Sequence, residues 1–141
     1  MRLYAESSAV LAWLLGEERG EITRQSLAAA EFVIASDLTL VECDRVLIRA
    51  QNLGQLTEAV AADLRAALNA AALQWHRLRI ADEVVERARR PFPGEPLRTL
   101  DALHVASALV ARATVSGLAL LSLDDRIRAT TRQLGMDVIP P

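Results

Sequence analysis

Short apolar runs, each too brief for a helix and each followed by a segment long enough to be one, recur along this chain. Leu3-Tyr4-Ala5, Phe32-Val33-Ile34-Ala35 and Leu118-Ala119-Leu120-Leu121 have strand length and strand composition. Residues 74–80 alternate apolar and polar side chains and predict a third strand in chain order; Val138-Ile139 predicts a terminal one. Between them, helical spacing or propensity covers residues 9–15, 18–30, 39–53, 57–72, 82–90, 99–113 and 124–134. Ser7-Ser8 offers a cap for the first helix, Gly54 a stop for the third, and the Pro- and Gly-rich residues 91–96 a break within the domain. Strands joined through helices need crossovers, and crossovers make neighbouring strands parallel. The expected class is therefore α/β: a three-layer α/β/α sandwich with a mainly parallel central sheet, in one domain spanning residues 1–141. With 52% hydrophobic residues the chain can fill such a core.

Several function classes drop out. The longest charge-free stretch is 11 residues, well short of the roughly 18 that span a bilayer, and Glu6 comes too early for a signal peptide. Cys43 is alone, so no intrachain disulfide or Cys-Cys metal clip is possible, which suits a reducing cytoplasm. With only His76 and His104, neither HExxH nor a zinc-finger spacing can be built. The net charge of −2 argues against a basic nucleic-acid coat. All 16 basic residues are Arg, so any phosphate contact is made through guanidinium forks. No Walker loop, GxGxxG or GxSxG occurs.

In open parallel sheets ligands bind outside the carboxyl ends of the strands. Glu6 follows the first strand, Glu42 lies soon after the second, Asp101 sits in the first turn of the helix starting at Thr99, and Asp124 and Asp125 follow the strand ending near Ser122. Brought to one rim, these acids suit a hard cation such as Mg²⁺ or Mn²⁺. Each also has a plain structural role available. Thr39-Leu40-Val41-Glu42 and Ser122-Leu123-Asp124-Asp125 have capping-box spacing, which assigns Glu42 and Asp125 to backbone N–H groups. Asp101 resists that reading, because its helix is apolar almost all round and a buried unpaired carboxylate is costly. His104, one turn on, is read first as a packed histidine bonded to a neighbouring side chain. Arg87, Arg89, Arg90 and Arg98 precede Asp101 and serve equally as phosphate contacts or as helix-end and loop cations.

Four segments, Leu3-Tyr4-Ala5-Glu6-Ser7-Ser8-Ala9, Leu38-Thr39-Leu40-Val41-Glu42, Leu97-Arg98-Thr99-Leu100-Asp101-Ala102-Leu103-His104-Val105-Ala106 and Leu121-Ser122-Leu123-Asp124-Asp125-Arg126, resemble in order and spacing the signature blocks of the PIN-domain ribonucleases, and among them the VapC-type toxins of bacterial toxin–antitoxin pairs. The resemblance implies a helix-flanked sheet with a Mg²⁺- or Mn²⁺-dependent pocket that hydrolyses RNA. It makes Glu6, Glu42, Asp101 and Asp124 the acidic quartet, with Glu6, Asp101 and Asp124 on the metal. Ser8 and Ser122 fall at the family's hydroxyl positions, where they orient ligands. It further implies a homodimer silenced by a cognate antitoxin protein. Arg98 and Arg126, close to the quartet, are the candidates for neutralising the RNA backbone. One position departs from the pattern: Glu6 stands where the family has Asp, one methylene longer. A weakly active or inactive PIN-like binding module, and another Mg²⁺-dependent phosphotransfer enzyme on the same plan, are the competing readings.

Overall fold

Parallel pairing of the apolar runs organises the whole molecule. The computed structural model describes residues 1–141, with elements β1 (Arg2–Ala5), α1 (Ser7–Leu14), α2 (Gly20–Ala29), β2 (Phe32–Ser36), α3 (Asp37–Asn52), α4 (Glu58–Ala72), β3 (His76–Leu78), α5 (Asp82–Ala88), α6 (Thr99–Thr114), β4 (Leu118–Leu121), α7 (Asp125–Gln133) and β5 (Val138–Ile139). The five strands are ordered β3-β2-β1-β4-β5 and every neighbouring pair is parallel. Leu3 pairs with Val33 on one side and Ala119 on the other; Tyr4 pairs with Ile34 and Leu120.

Side chains alternate across the pleat, so each strand feeds two cores. Tyr4, Ile34, Leu118 and Leu120 pack with Val84, Val105, Ala108 and Ile127 of α5, α6 and α7. Ala5, Val33 and Ala35 pack on the opposite face with Val10, Leu14, Cys43, Leu47 and Leu68 of α1, α3 and α4, where Leu3, Ala119 and Leu121 form a neighbouring cluster. This is the three-layer α/β sandwich expected from the sequence. Gly20 opens α2 where that helix crosses α1: a Cβ at this position would lie 2.2 Å from the Ala12 carbonyl oxygen. No helix is long and apolar enough to cross a membrane.

The chain runs from β1 outward to β2 and β3, then returns past β1 to place β4 on its other side. Connections therefore leave the carboxyl ends of β1 and β4 in opposite directions, and a crevice opens between them.

Element starts differ from the expected ones. The third strand is His76–Leu78 rather than 74–80, because as an edge strand it pairs with β2 alone and Gln74 and Trp75 belong to the turn after α4. Helix α3 starts at Asp37 and is capped by Ser36, whose Oγ accepts the Thr39 N–H at 3.3 Å. Thr39 is thus not the cap; its hydroxyl donates to the Ala5 carbonyl at 2.9 Å and ties α3 to β1. Helix α1 is capped by Glu6, not by the Ser7-Ser8 pair.

Candidate active site

The crevice is built around Glu6, the first residue beyond β1, which is only 3% exposed. Its backbone N–H continues the ladder to Leu121 at 2.9 Å, so the side chain is delivered at the strand ends. Oε1 accepts from the Ser7 hydroxyl at 2.8 Å and from the Ser8 N–H at 3.1 Å. Oε2 accepts from the Ser122 hydroxyl at 2.7 Å and from the Ser8 hydroxyl. A carboxylate has about four lone-pair sites, and all of them are taken here. Ser8 Oγ in turn accepts the Leu123 and Asp124 N–H groups at 2.9 and 3.1 Å, so Glu6 fixes the loop that carries Asp124. The two hydroxyl positions singled out in the sequence, Ser8 and Ser122, both sit in this network, 3.3 Å apart.

Glu42 approaches from α3. Its Oε1 accepts from the Ser7 hydroxyl at 3.0 Å and is hydrogen bonded to His104 Nε2, while Oε2 has no protein partner. Burial pushes the Glu42 carboxyl up, but His104 beside it and the Ser7 hydroxyl outweigh that and hold it below the usual range. Glu6, Glu42 and His104 bring one donor atom each to within 4.8 Å of one another.

Asp124 is the cap of α7: Oδ1 accepts the Ile127 N–H at 2.9 Å, leaving Oδ2 free of protein donors. The capping role expected of Asp125 thus belongs to Asp124, and Asp125 is exposed in the first helical turn. Asp101, in the first turn of α6, is 14% exposed in its side chain, with Arg98 Nε 3.6 Å away. Its helix is enclosed on every side from His104 to Ala108, as its composition suggested, but its first turn is more open: Leu100 is exposed and residues 101–103 are partly buried. Even so, Asp101 Oδ2 is buried without a hydrogen-bond partner. Burial pushes the Asp101 carboxyl above the ordinary range; the charges of Asp124 and Glu6 add to this, against the opposing pull of Arg98 and His104.

The donor set fits a hard divalent cation. Asp101 Oδ2 is buried without a hydrogen bond, and the exposed Arg98 guanidinium 3.6 Å from it leaves room for a closer cation; the free oxygens of Asp124 and Glu42 share that chemistry. Cys43 offers no competing soft ligand, since burial pushes its thiol up and leaves it protonated and inert. Of the two candidate phosphate contacts, Arg98 is 77% exposed and Arg126 is exposed without an ion pair. Two residues escaped the sequence reading, Tyr4 and Arg128, and Ser7 entered it only as a helix cap. Arg128 is buried, and its guanidinium donates to the Ser122 and Pro140 carbonyls at 2.7 and 2.6 Å, pinning the ends of β4 and β5 together. Only a polar tip within an apolar strand run marked Tyr4; nothing local marked Arg128.

The PIN domain profile matches residues 3–133. Ribonuclease VapC46 of Mycobacterium tuberculosis is 32% identical over 139 residues, covering 99% of this chain and 97% of that protein. Among solved structures, VapC20 of Mycobacterium tuberculosis, a sarcin–ricin loop cleaving toxin, superposes with a TM-score of 0.65 at 15% identity, covering 90% of this chain and 93% of the other. A toxin–antitoxin complex from Klebsiella pneumoniae contains a chain that matches with a TM-score of 0.55 at 20% identity, over 88% and 87% of the two chains. Fold, the four sequence blocks and these relatives agree, and the chain belongs to the PIN domain family.

Proposed function

We propose that this chain is a metal-dependent endoribonuclease, the toxin of a toxin–antitoxin pair, that hydrolyses RNA phosphodiester bonds at the crevice between β1 and β4. The observation that carries the reading is Asp101 Oδ2, a buried carboxylate oxygen with no hydrogen bond and only the exposed Arg98 guanidinium at 3.6 Å, in the field of Asp124 and Glu6. The identity to Ribonuclease VapC46 over nearly the full length of both chains supports the reaction class.

Asp101 and Asp124 would hold Mg²⁺ or Mn²⁺ with their free oxygens, and Glu42 would complete the set directly or through water. Glu6 supplies negative charge to the same pocket and fixes Ser8, Ser122 and the Asp124 loop; its joining the metal requires that one of its four donors give way. A bound divalent ion supplies Lewis-acid polarisation of the phosphate and a more acidic water for in-line attack. The Ser8 and Ser122 hydroxyls tie the Glu6 carboxylate to the Asp124 N–H, and Arg98 and Arg126 would meet the RNA backbone through exposed guanidinium groups. The partners would be RNA, a cognate antitoxin protein and a second copy of the chain, in the cytoplasm; the toxin–antitoxin complex among the structural relatives supports the antitoxin.

The test is purified protein incubated with RNA and with a small phosphoester, with Mn²⁺ or with EDTA, alongside Asp101→Asn. Cleavage of RNA alone, lost with EDTA and in the variant, is the expected outcome; metal-independent or absent cleavage refutes it. One observation favours a second reading, a weakly active or inactive PIN-like module that binds RNA or protein: the full hydrogen-bond complement of Glu6. RNA binding without cleavage in the same experiment selects it.

A further inference from the structure

We propose that His104 is a positioning residue that holds the Glu42 carboxylate in one orientation at the acidic pocket, with Tyr4 anchoring the other side of the ring. The role of Glu42 rests on the nuclease reading above; the relay behind it rests on the geometry alone.

His104 is 1% exposed and stands on α6 one turn beyond Asp101. Its nitrogens face different partners. Nδ1 lies 3.3 Å from the Tyr4 hydroxyl. Nε2 is bonded to Glu42 Oε1 and lies 3.3 Å from Ser7 Oγ and 3.8 Å from Glu6 Oε1. An ionised carboxylate only accepts, so Nε2 carries a hydrogen. A bare Nδ1 accepts the phenol hydrogen and a protonated Nδ1 donates to the phenol oxygen, so Tyr4 holds the far side of the ring with Nε2–H on Glu42 in both states. The surroundings keep the phenol available for this. Burial pushes Tyr4 up to about 12, so it stays protonated. His104 Nδ1 is the one hydrogen-bond partner the phenol hydroxyl has. The chain therefore links Tyr4 through Nδ1 and Nε2–H to Glu42, and consecutive bonds of this kind polarise one another.

Glu42 needs such a holder. It comes from a helix, has three rotatable bonds, and is 25% exposed in its side chain. Ser7 has one hydrogen between two carboxylates, and it lies nearer Glu6 at 2.8 Å than Glu42 at 3.0 Å. His104 is then the one donor committed to Glu42. Because His104 binds Oε1, the other oxygen is left for the pocket. If His104 were a metal ligand instead, Nε2 would have to lose the hydrogen that binds Glu42.

Three variants of the full chain test this: His104→Leu removes the donor, His104→Gln restores an N–H near the Nε2 position, and Tyr4→Phe removes only the phenol hydroxyl. Mn²⁺ affinity is measured by calorimetry, and kcat and KM are measured separately on RNA. His104→Leu is expected to weaken Mn²⁺ binding and to lower kcat by about 10–100-fold, the range for outer partners of metal sites, with KM little changed. Gln should recover most of that loss, and Tyr4→Phe should show a smaller loss in the same direction. Adding His104→Leu to Glu42→Gln should cost nothing further, since His104 acts through Glu42. Equal damage from Leu and Gln, additive losses in the double variant, or a lowered melting temperature with Mn²⁺ affinity and kcat intact would each overturn the proposal. If Leu at 104 prevents folding, Gln and Tyr4→Phe decide. A wild type that binds Mn²⁺ but cuts no RNA refutes the nuclease reading, while the affinity comparison still judges His104.

Discussion

Replacing Asp101 by asparagine deletes one negative charge at almost constant volume, so the balance of forces on that charge sets the outcome. In the metal-free protein the balance is unfavourable: burial, Asp124 and Glu6 all raise the Asp101 carboxyl above its ordinary value. An acid whose folded-state pKa lies above its unfolded one binds more protons when folded. Stability then falls as pH rises from about 3.8 through the raised value, and the full penalty applies at neutral pH. Asparagine carries no such penalty. It does lose the Arg98 contact at 3.6 Å, worth about 0–1 kcal/mol because that guanidinium is so exposed. It also loses a favourable first-turn charge worth about 0.3–1 kcal/mol. The upward shift is already net of the Arg98 pull, so only the first-turn term stands against the relief, and the variant should melt with or slightly above the wild type in EDTA.

Metal reverses the order. A ligand that binds only the folded state adds about 2.7 kcal/mol at one hundred times its dissociation constant, which for a chain of this size is about 10 °C in melting temperature. The wild type should gain this with Mn²⁺ and Asp101→Asn should not, because a neutral amide is a poor ligand for a hard cation. Thermal melts in EDTA and in rising Mn²⁺, repeated between pH 7 and pH 4.5, read both effects. The wild type should close its deficit against the variant as pH falls. A variant that keeps the metal-induced shift refutes Asp101 as a ligand. A variant that melts far below the wild type in EDTA makes Asp101 structural.

Asp124→Ala should cost about 0.5–2 kcal/mol through loss of the α7 cap, while Asp125→Ala should stay within about 0.5 kcal/mol; equal losses in urea unfolding would contradict the assignment of the cap. Glu6→Asp keeps a good capping side chain but draws the carboxylate back from Ser122, now 2.7 Å away. It should lower stability by about 1.5–3 kcal/mol, the worth of one charged hydrogen bond, and an unchanged denaturation midpoint would show that Glu6 does not tie β1 to β4. Gly20→Ala should destabilise by about 1–3 kcal/mol or more by forcing α1 and α2 apart, and a neutral result would mean that the helices part freely there.

Strand order and class were legible to different degrees. Residues 3–5, 32–35 and 118–121 are all buried or nearly so, and uninterrupted apolar runs joined by helices leave parallel pairing as the natural arrangement. That β1 lies at the centre was not legible, since an apolar run records burial on both faces but not which strands flank it. The alternation over residues 74–80 misled because an edge strand is limited by its one partner: β2 offers β3 only Ile34, Ala35 and Ser36. The capping boxes at Thr39 and Ser122 misled in a related way. Spacing gives the period of a helix and not its starting point. Here the starting points are set by where β2 and β4 leave the sheet, which makes Ser36 and Asp124 the caps.

The acids of the crevice were legible one by one because each lies just past a strand or within the first turns of a helix. What each does was not, because the partners that decide it lie far away in sequence. Glu6 meets Ser122 across 116 residues and His104 meets Glu42 across 62, while Tyr4 meets His104 across 100. Such contacts exist only once β1, β4, α3 and α6 are in place. The one feature visible from the start, a Glu at a position where the family has Asp, takes its meaning from them. One extra methylene lets the carboxylate cap its own helix through Ser8 N and still reach the Ser122 hydroxyl on the neighbouring strand end. Glu6 thereby holds the walls of the crevice, and the free oxygens that could meet a cation fall to Asp101, Asp124 and Glu42. On the nuclease reading, a longer side chain at this position would shift the division of labour among four acids rather than remove one.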